Sequence, residues 1–216
     1  MPKRDNISMS VIRRLPRYYR FLSDLIDNGV MRISSRELSD KMGLTASQIR
    51  QDLNCFGGFG QQGYGYMVEQ LHKEIGNILG LSHSYRSILI GAGNLGRAVA
   101  THMSFEARGF TLSGIFDKNP DLIGTDIRGI LVQNIENLED FCTKTKPNMA
   151  VLCVPRDSVA ALADRMYALG IKNYWNFSHY DLAIKFPDVI VENVHMSDSL
   201  MTLCYRISDH GNIEEI

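Results

Sequence analysis

Three glycines in Gly91-Ala92-Gly93-Asn94-Leu95-Gly96 follow directly on the apolar run "SILI" and lead into residues with a helical pattern. A G-x-G-x-x-G at a strand-to-helix turn can cradle a pyrophosphate. Gly91 permits the tight turn, Gly93 lets phosphate approach the backbone, and Gly96 lets helix and strand pack. Ala92, Asn94 and Leu95 supply the rest of the loop, and the helix N-terminus offers amides and partial positive charge to the anion. Asp117 ends the next strand-like run, twenty-one residues past Gly96, where a carboxylate can hold ribose hydroxyls. Such an acid repels a 2′-phosphate, so NAD(H) is expected over NADP(H), with neighbouring Lys118 weakening the exclusion.

A second chemistry stands in front of the first. Residues 1–60 hold ten Lys or Arg against six Asp or Glu, whereas the remaining residues hold thirteen against eighteen. Arg13, Arg14, Arg17 and Arg20 crowd one short stretch, as a phosphate-binding surface requires. Ser34-Ser35-Arg36-Glu37 and Thr45-Ala46-Ser47-Gln48 both fit the S/T-x-x-E/Q start of a helix, and Gly43 between them can supply a left-handed turn. Leu38 and Met42 face inward on the first helix, and Ile49 and Leu53 on the second. That spacing predicts a helix-turn-helix whose second helix turns Ser47, Gln48, Arg50 and Gln51 outward, toward a DNA major groove. Thr45 caps that helix and joins the expected DNA-facing set. An ordinary helical hairpin would use the same caps and glycine.

The segment "CFGGFGQQGYGY" has five glycines and four aromatics in twelve residues, which suits a short hairpin, or wing, beside the second helix. Upstream, "RRLPRYYRFLSDLIDNG" predicts a helix with Pro16 in its first turn and Asn28-Gly29 at its end. Downstream, "MVEQLHKEIGNILGL" closes the winged domain, and "SHSYR" reads as a connector.

From residue 87 strand-like and helical runs alternate, the pattern of a parallel sheet with helices on its faces. The fold class is therefore α/β: a winged helix-turn-helix domain over 1–80, a Rossmann domain over 86–195, and a terminal helix over 196–210. That helix carries Met196, Leu200, Leu203, Cys204 and Ile207 as an apolar stripe with nothing left in the chain to cover it, which suggests a second subunit. A dehydrogenase would need a second domain to hold substrate and a positioned acid or base, and neither has room. The histidines at 72, 83, 102, 179, 195 and 210 are scattered and read as surface or packing residues. Cys55, Cys142, Cys153 and Cys204 form no C-x-x-C pair, so no metal site and no disulfide framework is expected. No apolar run approaches a membrane span or a signal peptide, and a cytoplasmic protein is expected.

In this order "RLPRYYRFL", "ISSRELSDKMGLTASQIRQDL", "FGGFGQQGYGY", "ILIGAGNLGRAVA", "GIFD", "VPR" and "VENV" resemble the Rex family of redox-sensing transcriptional repressors, across essentially the whole chain. The resemblance implies a homodimer with winged heads on a palindromic operator, NAD(H) on the Rossmann domains beside Val154 and Pro155, and C-terminal helices swapped between subunits. It further implies that NADH releases the DNA and NAD⁺ permits binding, at genes of fermentation and respiration. Three positions depart from the family pattern. Gln62 stands where the wing often has arginine, so one expected DNA contact is altered. Arg20 matches a family switch residue, but His102 and His195 occupy the positions of its usual tyrosine and acid, which suggests a pH-sensitive ligand response. Two other readings of the residues are a small NAD-dependent oxidoreductase with a basic arm, and a nucleotide- or CoA-binding module that regulates a partner protein.

Overall fold

The computed structural model describes residues 7–57, 59–61 and 64–210, and this part of the chain divides into two compact units between His83 and Ser84. Gln62 lies outside the described residues.

In the first unit a short helix α1 (Met9–Ile12) precedes α2 (Leu15–Asp27), which has proline in its first turn, where no amide partner is lost. Two residues of extended chain, β1 (Arg32–Ile33), lead to α3 (Ser35–Met42). Ser34 and Glu37 form the full reciprocal cap at its start, and Gly43, at φ 62°, ends it in the left-handed region. Next come α4 (Ala46–Asn54), the antiparallel pair β2 (Gly60–Gln61) and β3 (Gly65–Met67), and α5 (Val68–Leu79). The sheet order is β1-β3-β2, so β3 pairs with the expected wing strand and also with β1. Leu15, Tyr18, Leu22, Leu38, Ile49 and Leu53 are among the buried side chains of a core that belongs to this unit alone. Phe56 and Phe59 pack against that core, Tyr66 is inside it, and Tyr64 is exposed at the tip of the hairpin.

The second unit opens with β4 (Tyr85–Ile90) and α6 (Asn94–His102), followed by β5 (Phe110–Asp117), β6 (Asp126–Ile127) and β7 (Ile130–Asn134). Then come α7 (Leu138–Thr145), β8 (Met149–Leu152), α8 (Arg156–Ala168), β9 (Asn173–Asn176), α9 (Leu182–Lys185), β10 (Ile190–Asn193) and α10 (Met196–His210). The sheet order is β10-β9-β8-β4-β5-β7-β6, parallel except for the β6–β7 hairpin. β4 begins at Tyr85, inside the expected connector, because Tyr85 and Arg86 pair with Phe110 and Thr111 although both are exposed.

Alternate residues of the strands serve two cores. Ile88, Ile90, Ala150 and Leu152 point to the face covered by α7, α8 and α9, whereas Leu89, Met149 and Val151 point to the face that carries α6. α10 departs from this body with Met196, Leu200, Met201, Leu203, Tyr205 and Ile207 all at least half exposed. Among the described residues, no helix is long and apolar enough to cross a membrane and no group of His, Cys, Asp or Glu could hold a metal ion.

Candidate functional site

The chain leaves β4, crosses to β5 on one side, and later returns to β8 on the other, so the strand order reverses between β4 and β8. In open α/β sheets a ligand crevice lies outside the carboxyl ends of the strands at such a reversal. Here the glycine loop follows β4, and Cys153, Val154 and Pro155 follow β8. The two loops touch: a Cβ on Gly91, which sits at φ 99°, would stand 2.6 Å from both the Cys153 carbonyl and the Val154 Cγ1. A Cβ on Gly96 would stand 1.7 Å from the Gly91 carbonyl oxygen, so only glycine allows α6 to start this close to β4. A Cβ on Gly93 would meet nothing within 4 Å. Gly93 is also the N-cap of α6, with no side chain capping the first amides. Exposed backbone donors at a helix start, with an open approach over Gly93, form a seat for a phosphate.

Asp117 ends β5 beside this loop. One oxygen accepts the Ala92 amide at 2.6 Å and the other the Asn119 amide at 2.8 Å, so the carboxylate fixes the loop and is itself fixed. Lys118, next to it, is exposed, as is Asn94, while Ala92 is buried and Leu95 half-buried. The Cys153 thiol is pushed up to about 12 by burial. It therefore stays uncharged at neutral pH and gives the crevice no anion. The residues present fit a dinucleotide: pyrophosphate at Gly93 and the α6 start, ribose at Asp117, and a half-buried apolar wall at Val154 with exposed Pro155. A hollow of about 590 Å³ lies at the opposite ends of the strands among Tyr85, Phe110, Met149 and Trp175. It lacks both glycine loop and helix start and has no part in this site.

In the first unit, α4 presents Ser47, Arg50, Gln51 and Asn54 to solvent around a shallow hollow that Cys55 completes. Asn54 joins the face expected from sequence. Its spacing from Ser47, seven residues or two helical turns, was the signal available for it. Arg50 is exposed, with one guanidinium nitrogen donating to the Ser35 hydroxyl at 3.1 Å. Thr45 caps the helix by accepting the Gln48 amide at 3.1 Å. The reciprocal bond of the expected capping box is absent, because the Gln48 side chain donates instead to Asp52 at 2.8 Å. Gln48 is half-buried and turned away from the outer face. Arg14 makes a bidentate pair with the same Asp52, and Arg17 donates to the Met42 carbonyl at the end of α3. Of the four clustered arginines, Arg13 and Arg20 are exposed with no such intramolecular bond described.

His102 lies exposed in the last turn of α6. His195 is half-buried between β10 and α10, its ring stacked on His179 at 5.0 Å between centroids and 6° between planes, with a buried Nδ1 that has no hydrogen-bond partner among the described residues. In sequence His179 is one of the scattered surface or packing histidines; its neighbour comes from the parallel pairing of β9 and β10.

Comparison with known proteins covers both units. Residues 6–54 match the family model described as "Putative DNA-binding protein N-terminus", and residues 82–180 match the "CoA binding domain" model. The redox-sensing transcriptional repressor Rex of Thermoanaerobacter pseudethanolicus is 57% identical over 209 residues, 97% of this chain and 93% of that one. The crystal structure of RSP in complex with beta-NAD+ and operator DNA aligns with a TM-score of 0.86 at 57% identity, covering 94% of each chain. That of RSP in complex with beta-NADH aligns at 0.85 and 54% identity, covering 94% of this chain and 95% of that one.

Proposed function

The chain belongs to the Rex family of redox-sensing transcriptional repressors, and from that premise we propose how its two units divide the work. The protein is a DNA-binding repressor that takes NAD(H) as its effector, acts as a homodimer, and is not an enzyme. The first unit reads operator DNA with Ser47, Arg50, Gln51 and Asn54 of α4, its wing alongside and Arg13 on the phosphates. The second unit holds the dinucleotide at Gly91–Gly96, Asp117, Val154 and Pro155. The observation that carries this reading is the presence in one chain of a glycine cradle at the strand-order reversal and a capped helix with an outward polar face. Because its target is operator DNA, its place of action is the cytoplasm.

The bound effector supplies one variable, a nicotinamide ring that is cationic when oxidised and neutral when reduced. The chain's own groups treat the rest of the molecule alike in both forms, so discrimination rests on what surrounds the ring. Val154 offers an apolar wall, and the un-ionised Cys153 thiol offers no counter-charge. Burying an unpaired charge is costly, so enclosure favours the reduced form. The operator is held by the open state, and by reciprocity NADH and DNA then weaken each other's binding by the same factor. NADH thus closes the dimer and releases a palindromic operator, at genes of fermentation and respiration.

The test is a fluorescence titration of a duplex that the protein itself selects from a random-sequence pool, with each nicotinamide form present. NADH is expected to weaken duplex binding by about 100-fold, equivalent to about 2.7 kcal/mol of differential affinity. NAD⁺ is expected to change it little; equal effects of both forms would defeat the reading.

The exposed apolar residues of α10 fit burial by a second copy, as a swapped helix. Leu200→Glu combined with Leu203→Glu should give the mass of a single chain in sedimentation equilibrium. A dimer of parental stability would remove α10 from the interface.

A further inference from the structure

Asp52 is fully buried, an unusual place for a carboxylate on a helix that reads DNA. It lies on the inward stripe of α4 with Ile49 and Leu53. Arg14 donates to it twice, Nε to Oδ2 and Nη2 to Oδ1, both at 2.7 Å. The Tyr18 hydroxyl donates to Oδ2 at 2.9 Å and the Gln48 amide to Oδ1 at 2.8 Å. Arg14 stands at the start of α2 and Tyr18 one turn along it, so a single carboxylate fastens two helices that are otherwise joined by apolar packing. Burial pushes the Asp52 carboxyl up, but the hydrogen bonds from Arg14, Gln48 and Tyr18 outweigh it and leave it below the usual aspartate value. Burial and the bond to Asp52 raise Tyr18, which therefore remains a donor.

An ion pair with a fully buried carboxylate and a partly exposed guanidinium is a poor source of net stability, since the carboxylate must leave water to form it. Its geometry is stricter than that of apolar contacts. A planar guanidinium fork against two carboxylate oxygens tolerates little rotation of α4 about its axis and little sliding along it. Ser47, Arg50, Gln51 and Asn54 stand on the same turns, so their direction is set where Asp52 is held.

We propose that Asp52 is the positioning residue of the DNA-reading helix, and that Arg14 and Gln48 serve this carboxylate and not the DNA. This rests on the reading of α4 as the operator-contacting helix. The two arginines next to each other in sequence then have separate tasks: Arg13 faces solvent and Arg14 faces Asp52.

The experiment measures affinity for the self-selected duplex across a range of salt concentrations, below the melting temperature of every variant, with NADH affinity and thermal melting recorded in parallel. Arg14→Lys keeps the charge but loses the fork. It should weaken duplex binding by about tenfold, the worth of one charged hydrogen bond, with the salt dependence unchanged. Asp52→Asn should do the same, and Arg14→Lys with Asp52→Asn should be no weaker than the weaker single variant. Gln48→Met, a milder change at a half-buried position, should cost nothing further in the Asp52→Asn background. NADH affinity should remain parental throughout.

The proposal fails if Arg14→Lys binds the duplex as the parent does while Arg14→Ala lowers the salt slope by about 0.9, the mark of one lost phosphate contact. It also fails if Gln48→Met and Asp52→Asn losses add, or if affinity is parental in folded Asp52→Asn. Arg50→Ala run alongside separates the two levels. If that variant binds normally, the reading of α4 is wrong; if it alone loses binding, α4 reads DNA without help from Asp52.

Discussion

Replacing Gly96 by alanine yields a repressor that keeps its operator at NADH concentrations that strip it from the parent. The added Cβ would stand 1.7 Å from the Gly91 carbonyl oxygen, 2.9 Å from its carbon and 3.1 Å from the Leu89 Cδ2. Two of these three are backbone atoms, which no rotamer change can move. α6 must therefore back away from β4 and carry its first amides with it. Overpacking of this kind typically costs about 1–3 kcal/mol, which as lost ligand affinity is about fivefold to more than a hundredfold. The first unit folds around its own core, so operator affinity in the absence of ligand should stay near parental. Gly93→Ala is the informative companion. Its Cβ meets nothing, at an ordinary φ of −64°, so melting should be unchanged while NADH binding still weakens because the methyl stands where phosphate must approach. Calorimetric titration with NADH and a melting curve separate the two. Parental NADH affinity in Gly96→Ala would remove the glycine loop from the ligand site.

Why were the glycines readable in advance when Asp52 was not? The loop's function depends on what is missing from each residue, and a missing side chain is visible in any sequence. Ser34, Glu37 and Gly43 were legible for a similar reason: caps and left-handed turns are local, and their partners lie within a few residues. Asp52 sits three residues from Ile49 and next to Leu53, squarely on the buried stripe, yet a rule that counts only apolar residues skips it. Its principal partner is 38 residues away, and nothing local pairs Arg14 with it. An arginine engaged with a carboxylate or a helix end looks in sequence like one awaiting phosphate, so the bonds that Arg14, Arg17 and Gln48 make within the unit are not legible there. β1 could not be seen because two residues carry no period; its pairing with β3 makes it a strand. The stacking of His179 on His195 likewise follows from β9 lying beside β10, a tertiary fact.

Arg50→Ala should lose the operator and keep the cofactor. Arg50 lies one residue past buried Ile49 and is turned to solvent. Its single bond to the Ser35 hydroxyl at 3.1 Å is at the surface, where water competes, so the guanidinium is free to exchange it for a base or a phosphate. A bidentate arginine contact to a guanine edge is worth about 1–3 kcal/mol of discrimination, or about five- to more than a hundredfold. Specific affinity should therefore fall toward that for an unrelated duplex. Arg50→Lys distinguishes the two uses of the charge. A lysine satisfies a phosphate as a point charge but cannot reproduce the fork, so it should hold the salt dependence and lose sequence preference. Removal of the side chain lies outside both cores and in a different unit from the glycine loop, so melting and NADH affinity should be parental. A loss of NADH affinity in Arg50→Ala would mean that the surface change had unfolded more than a contact. Retained sequence preference in both variants would move the reading of bases from α4 to another element.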